Sequence, residues 1–541
     1  MAKQTFKPFF ALGAAAMAAG FLMTGSAQAQ PVAGGEGGVL GVAAYEPLCL
    51  DQNEGSSRNT QTALQDIYDR VISRSTDGTY HPWIASAWTI SDDQTVYEFE
   101  IRDGVTFHDG TALDAEAVRF GLQRYFESRN GGSIPLDTVT VDGNVVTVTL
   151  TNPYAPFLHD ISEPVAGLVS PTAVEAYGPE ERCAGGEGIT IGSGPFKLVS
   201  RTDGQGMVLT RNDDYDWAPA NAAHQGAAYL EGVEMRFLQE DAVRVGAVES
   251  GQADIALGVS ALALADLERN PQIEILSTEQ PGIPWSFWIN QSRPPLDDVR
   301  VREALRIGAD YAGLIDVIFL GTASPAYAAI TPGIPFAYDA SLEGSYEVDA
   351  ERAVALLEEA GWSEVGSDGI RTKDGERLSF SVLTATNWNN QQRELYFQGI
   401  QAGMRAIGVE MDREVLDFAS VDERLRANEY DFVDTSQAYG DPNLLYGAFH
   451  SEQTWAETGN TNWGYVNDPE LDAALEGGLE NSDAEARATA YRTAQQIIFD
   501  NVYLLPIANP QVVIATRENV EGVGFSSSGQ IGSYYDVWFA E

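Results

Sequence analysis

The chain has 541 residues, with 79 Asp and Glu against 32 Lys and Arg, a formal net charge of −47. One hydrophobic core stops growing near about 250–300 residues, so two or three domains are expected. The acidity excludes nucleic acid and anionic lipid as partners, because both need clustered Lys and Arg. Hydrophobic residues make up 44%, with 10 Trp and 22 Tyr, which excludes a disordered acidic tail protein.

Two of the four lysines, Lys3 and Lys7, lie in the first ten residues; the others are Lys197 and Lys373. Without that leading segment the net charge becomes −49. Self-repulsion of that size is tolerable where salt screens charges over about 8 Å or less. The acidity therefore reads as adaptation to a saline exterior rather than as a cation-binding device.

Lys3 and Lys7 precede an apolar run over residues 9–23, and Ala27-Gln28-Ala29 supplies a cleavage motif. The run is shorter than the roughly 20 residues a spanning helix needs, so residues 1–29 read as a cleaved signal peptide and the mature protein as periplasmic. Cys49 and Cys183 are the two cysteines. In an oxidising compartment an even pair favours one disulfide, with two separate buried thiols as the alternative.

In chain order, Leu64, Ile67, Tyr68, Val71 and Ile72 recur at helical spacing and predict a helix over 62–73. Asp114 is placed to cap a helix running to Phe126. The segments 138–141 and 145–150 flank Asp142-Gly143-Asn144 and predict a tight hairpin. Later helices are predicted over 349–360, stopped by Gly361, and over 391–407, 421–427 and 469–479. Ser482 with Glu485 forms a capping box for a last helix reaching Asp500. The mixture predicts an α/β or α+β class with interleaved domains.

Catalytic signatures are missing. Gly524-Phe525-Ser526-Ser527-Ser528-Gly529 has the wrong spacing for a nucleophile elbow, and the five histidines form no i,i+4 pair for zinc. Gly192-Ser193-Gly194-Pro195 reads as a structural turn, since Pro195 lacks an amide donor. No catalytic residue, cofactor or metal is assigned.

A longer set of motifs carries more. Ile67-Tyr68-Asp69, His81-Pro82-Trp83-Ile84-Ala85, and Phe99-Glu100-Ile101-Arg102-Asp103-Gly104-Val105-Thr106-Phe107-His108-Asp109-Gly110 occur in order. They are followed by Gly192-Ser193-Gly194-Pro195-Phe196, Arg211-Asn212-Asp213-Asp214-Tyr215, Val299-Arg300-Val301-Arg302-Glu303-Ala304-Leu305 and Asp441-Pro442. This order resembles the peptide/opine/nickel family of extracellular solute-binding proteins of ABC transporters, over some 450 residues.

The resemblance implies a hinged, two-lobed periplasmic-binding-protein-like fold with an inserted domain. Lobe one would combine 30–75, 187–281 and 505–541; the insertion would be 76–186, and lobe two 282–504. It implies a monomeric, non-enzymatic receptor for a small polar solute, an oligopeptide or dipeptide first, which docks on permease subunits and their ATPase. An oligosaccharide, opine or nickel chelate is the alternative ligand, and an exported hydrolase the distant one.

The same resemblance points to ligand contacts. Tyr45 and Glu46 occupy the stretch after the first strand where relatives contact ligand, or form a turn. Trp285 roofs the cleft or packs the hinge. Asn387, Trp388 and Phe418 fall in cleft-facing loops, with Tyr439 and Asp441 beside them. Peptide binders place an Asp three residues before Asp441-Pro442, where it meets the peptide ammonium; here Ala438 stands there. A substitute carboxylate, Asp434 or Glu46, or a ligand without a free amino terminus would resolve the difference.

Overall fold

The computed structural model describes residues 37–55 and 57–540. The expected signal peptide, 1–29, lies outside the described residues. Among these no helix is long and apolar enough to cross a membrane.

The strand Val39–Ala44 is buried along nearly its whole length and pairs in parallel with Gly232–Phe237 and Ile255–Leu257. Near-continuous apolar sequence is what a parallel strand covered on both faces requires. It lies inside a 12-stranded sheet that has two halves. One half runs from Phe196–Thr202 through Gly206–Arg211, Gly232–Phe237 and Val39–Ala44 to Ile255–Leu257. The other runs from Glu410–Leu416 through Ser379–Ala385 and Phe432–Ala438 to Gly282–Ile289. The strand Leu504–Arg517 belongs to both: Leu504 and Leu505 pair with Trp288 and Phe287, whereas Ile514 to Thr516 pair with Ile255–Leu257.

A separate four-stranded antiparallel sheet is ordered Ala85–Ile90, Val96–Ile101, Val145–Leu150, Leu136–Asp142. Its last two strands are the hairpin expected from Asp142-Gly143, with Asp142 opposite Val145 and Gly143 at φ +64°. The helix Ala115–Glu127 lies over this sheet, and the Asp114 carboxylate accepts the Ala117 amide at 3.0 Å. Phe99, Val118 and Phe157 from this region share one core with Leu40 and Val42. Distinct cores form around Phe287, Tyr396 and Phe432, and around Trp288, Phe449 and Tyr491.

Two predicted elements shift. The helix expected over 62–73 is Arg58–Leu64, and the chain then turns into the strand Ile72–Arg74. Ile67, Tyr68 and Val71 are buried as their spacing suggested. Asp66 and Asp69, between them, face inward to take hydrogen bonds from Ser533 and from Trp217 and Ser193. The backbone follows those bonds instead of continuing the helix. The turn also needs Gly192 and Gly194, whose added Cβ atoms would sit 1.9 Å from Ile67 O and 2.4 Å from Asp66 O. At the last long helix, Ala484–Asp500, the cap is Asp483 rather than Ser482, with its carboxylate on the Ala486 amide.

Cys49 and Cys183 form a disulfide across a sequence separation of 134. It fastens the segment after the first strand to the helix Pro179–Ala184. Closing a loop this long constrains the unfolded chain, so replacing both cysteines with serine is expected to cost about 2–5 kcal/mol. Urea unfolding of the oxidised protein and the variant measures this. A midpoint unchanged by the substitution would contradict it.

Candidate functional site

A cavity of about 550 Å³ opens between the two halves of the molecule, within the ordinary range for small-solute sites. One wall comes from the helix Arg58–Leu64. Ser57 caps it by accepting the Thr60 amide at 3.2 Å, its inner face buries Thr60, Ala63 and Leu64, and Arg58 and Gln61 face the cavity. Gln530 joins that wall by donating to Gln61 at 2.9 Å and accepting from Thr62 at 2.9 Å. A second wall is the helix Phe157–Ser162 and the residue after it, which present Asp160 and Glu163.

The facing wall carries Trp388, Ser436, Ala438 and Tyr439. The strand Phe432–Ala438 ends there against Gly282, where φ is +139° and an added Cβ would lie 2.0 Å from Gln437 O. Only glycine fits that approach. The walls also touch directly. Tyr439 donates its hydroxyl to Asp160, and its ring meets His159 edge-on at 4.8 Å. Arg74 donates to Gly440 O at 3.3 Å, Asn443 to the Tyr154 hydroxyl at 3.3 Å, and the Ala155 amide to Leu479 O at 2.8 Å.

Burial dominates the electrostatics. It pushes Asp160 up to about 7, although Tyr439 and Tyr154 both donate to the carboxylate. Burial also raises Glu163, opposed by Arg74, Arg70 and Arg58, and lowers Arg58 to about 10, opposed by Glu163. His159 falls to about 3 through burial and the adjacent Arg74, so it is neutral and its Nδ1 accepts from that arginine at 2.9 Å. The cavity is thus lined by one guanidinium, two carboxyl groups, one indole and the two phenols of Tyr125 and Tyr439.

Of the residues expected from the sequence, Trp388, Ala438 and Tyr439 meet at this cavity. Phe418 is half-exposed and backs Trp388 edge-on at 5.7 Å. The Asn387 side chain lies outside the described residues. Tyr45 lines a neighbouring apolar cavity of about 160 Å³ that shares Arg58 and Gln530 with the main one. There it is clamped by its own half: Arg244 stacks 3.8 Å from the ring centre, and the hydroxyl contacts Asp241 at 3.2 Å. Glu46 points to an outer groove and accepts the Gly204 amide at 2.9 Å, with Arg201 at 3.5 Å.

Three expectations need correction. Trp285 does not roof the cavity. It is 2% exposed, donates its indole N–H to Asp434, and packs under Arg393 at 4.8 Å and Tyr396 at 4.9 Å. Asp434 cannot stand in for the missing carboxylate, because it is fully buried between Trp285 and Arg413. Asp441 is held by two Arg487 bonds at 2.6 and 2.8 Å; burial raises its pKa, but Arg487 outweighs that and leaves it at about 2. It is a structural ion pair. Arg58, Asp160 and Glu163 escaped sequence reasoning: 79 acidic residues give two carboxylates three apart no contrast.

The model of bacterial extracellular solute-binding proteins, family 5 (middle), matches residues 79–456. The chain belongs to this family. It is 26% identical over 500 residues to the probable D,D-dipeptide-binding periplasmic protein DdpA of Escherichia coli (strain K12), covering 90% of this chain and 91% of that protein. It is 24% identical over 480 residues to the glutathione-binding protein GsiB of Shigella flexneri serotype 5b (strain 8401), covering 87% and 89%. Among solved structures, the oligopeptide-binding protein AppA from Bacillus subtilis, in complex with a nonapeptide, matches with a TM-score of 0.77 at 21% identity. That match covers 94% of this chain and all of the other. The two halves are thus the two lobes of a family 5 solute-binding protein, and the cavity lies in its interlobe cleft.

Asp160 gives a pH test of this geometry. With its carboxyl raised to about 7, its stabilising contribution is whole below about pH 4 and is lost as pH rises through 7. Asp160→Asn removes that titration, so the variant should gain on the wild type by up to about 1.4 kcal/mol per pH unit across that window. His159 titrates in both proteins and cancels in the difference. Urea unfolding at stepped pH measures it; a difference that stays constant with pH would contradict the assignment.

Proposed function

We propose that this family 5 protein is a periplasmic receptor that captures a short peptide in the interlobe cleft and delivers it to an ABC permease with its ATPase. The observation that carries the reading is the sign pattern of the cavity. Arg58 lies on one wall, Asp160 and Glu163 on another, and Trp388 with Tyr439 closes the third. A zwitterionic peptide supplies the opposite charge to each. Arg58 takes its carboxylate, and the Asp160–Glu163 pair takes its ammonium in place of the charge absent at Ala438. The relatives named for a D,D-dipeptide, glutathione and a nonapeptide support a peptide class. An uncharged sugar would bring no opposite charge to Arg58, Asp160 or Glu163, the less favourable outcome for desolvated ionisable groups.

In this reading the protein retains its ligand and does not turn it over. The lobes correspond to 30–75, 187–281 and 505–541 on one side and 282–504 on the other, with 76–186 inserted into the first. The separate cores around Leu40 and around Phe287 support two lobes, with the strand Leu504–Arg517 giving Leu505, Ile507 and Ala508 to the second core and Ile514 to the first. Trp388 and Tyr439 are the aromatic contacts, Phe418 holds Trp388 in place, and Tyr45 borders the ligand through the adjoining apolar cavity.

Calorimetric titration of di-, tri- and tetrapeptides, each free, N-acetylated or C-amidated, tests this. A charge-assisted bond contributes about 1.5–3 kcal/mol, so blocking either terminus should weaken binding at least about tenfold. Arg58→Met should weaken free peptides but leave C-amidated ones unchanged. Equal affinity for free and blocked peptides would contradict the assignment.

A further inference from the structure

A second cavity, of about 360 Å³, lies within the first lobe between the turn after the helix Arg58–Leu64 and the C-terminal stretch that carries Ser526 and Ser528. Its wall holds Arg70, whose guanidinium stacks over the Trp83 indole at 4.6 Å. Among the described residues the guanidinium makes no hydrogen bond, and its Nε is shielded from solvent without a partner. Arg70 is partly buried and lines the open cavity, so its guanidinium fork is available to an acceptor there, and the shielded Nε gains from one that reaches it.

The surrounding carboxylates do not supply it. Asp66 accepts from the Ser533 hydroxyl and the Tyr534 amide, and Asp69 from Trp217, Ser193 and Tyr215. Asp536 binds His224 and the Ala223 amide. Glu163 accepts from Ser528. These groups neutralise Arg70 through space but leave its N–H groups empty. Across the cavity, Ser526 and Ser528 pair at 3.0 Å, with either hydroxyl able to donate.

We propose that this cavity is a carboxylate site, in which a small monoanionic organic acid group docks in the plane of the Arg70 fork and takes a further hydrogen bond from the Ser526–Ser528 pair. The planar fork matches a carboxylate's two oxygens. The negative field of Asp66 and Glu163 disfavours a dianion such as phosphate, and the volume leaves room for an organic substituent. Glu163 and Ser528 line this cavity and the interlobe cleft alike. The carboxylate is therefore either a separate small acid or a side-chain carboxylate of the cleft ligand. The site itself does not rest on the peptide reading, because Arg58 plays no part in it.

Thermal unfolding of the full protein in sodium acetate, against sodium chloride at matched ionic strength, tests the proposal. The wild type should show a saturable rise in Tm specific to acetate. Arg70→Lys, which keeps the charge but loses the fork, should need at least tenfold more acetate, and Arg70→Met should show no specific rise. The lysine variant keeps the test decisive if the methionine variant fails to fold. Repeating the acetate titration with a saturating, C-amidated tripeptide that carries a glutamate separates the sources: competition identifies the ligand's side-chain carboxylate, and independent binding a separate acid. An acetate response that is absent in the wild type, or equal in wild type and Arg70→Lys, would overturn the proposal. Neither result would touch the Arg58 tests.

Discussion

The strand Leu504–Arg517 is shared by both lobes, and the cleft exists because of it. Its first residues pair with Gly282–Ile289 in one lobe, and its last residues pair with Ile273–Glu279 and Ile255–Leu257 in the other. Gln280 and Pro281 carry the chain across beside it, with the Gln280 amide bonded to Pro510 O at 2.9 Å. Two adjacent crossings hold the lobes edge to edge and leave bending about that pair as the motion that separates them. A cavity between cores that share only two strands can open without unfolding either core.

Electrostatic complementarity across this cleft is built into the wall contacts. Tyr439 and Tyr154 donate to Asp160, and Arg74 bridges the neutral His159 and Gly440 O. The Tyr439–Asp160 and Arg74–Gly440 bonds join segments more than 250 residues apart in sequence and stand next to the carboxylates that face the cavity. Asp160 is thereby tied into a buried hydrogen-bond network that joins both walls of the cavity.

Local chemistry was readable from the sequence, and long-range chemistry was not. Asp142-Gly143 specified its hairpin and Asp114 its helix cap, because each signal is satisfied within four residues. The spacing of Leu64, Ile67, Tyr68 and Val71 correctly marked burial but not helix, since the bonds that redirect the backbone reach Asp66 and Asp69 from Ser193, Trp217 and Ser533. The site divides the same way. Ala438 and Tyr439 were placed by the Asp441-Pro442 motif and Trp388 by the loop around Asn387, and the structure brings all three to one cavity. Trp285 takes the packing alternative beside the crossing strand, and its partner there, Asp434, lies 149 residues away. Arg58, Asp160 and Glu163 gain meaning only when three distant segments converge.

The most direct measurement is a crystal structure of the protein with a bound tripeptide. The peptide should occupy the cleft between Arg58, Trp388 and Ala438, with its ammonium on Asp160 or Glu163 and its carboxylate toward Arg58. A peptide seated instead in the outer groove beside Glu46 and Arg201, or held in the cleft with neither terminus near these groups, would contradict the assignment.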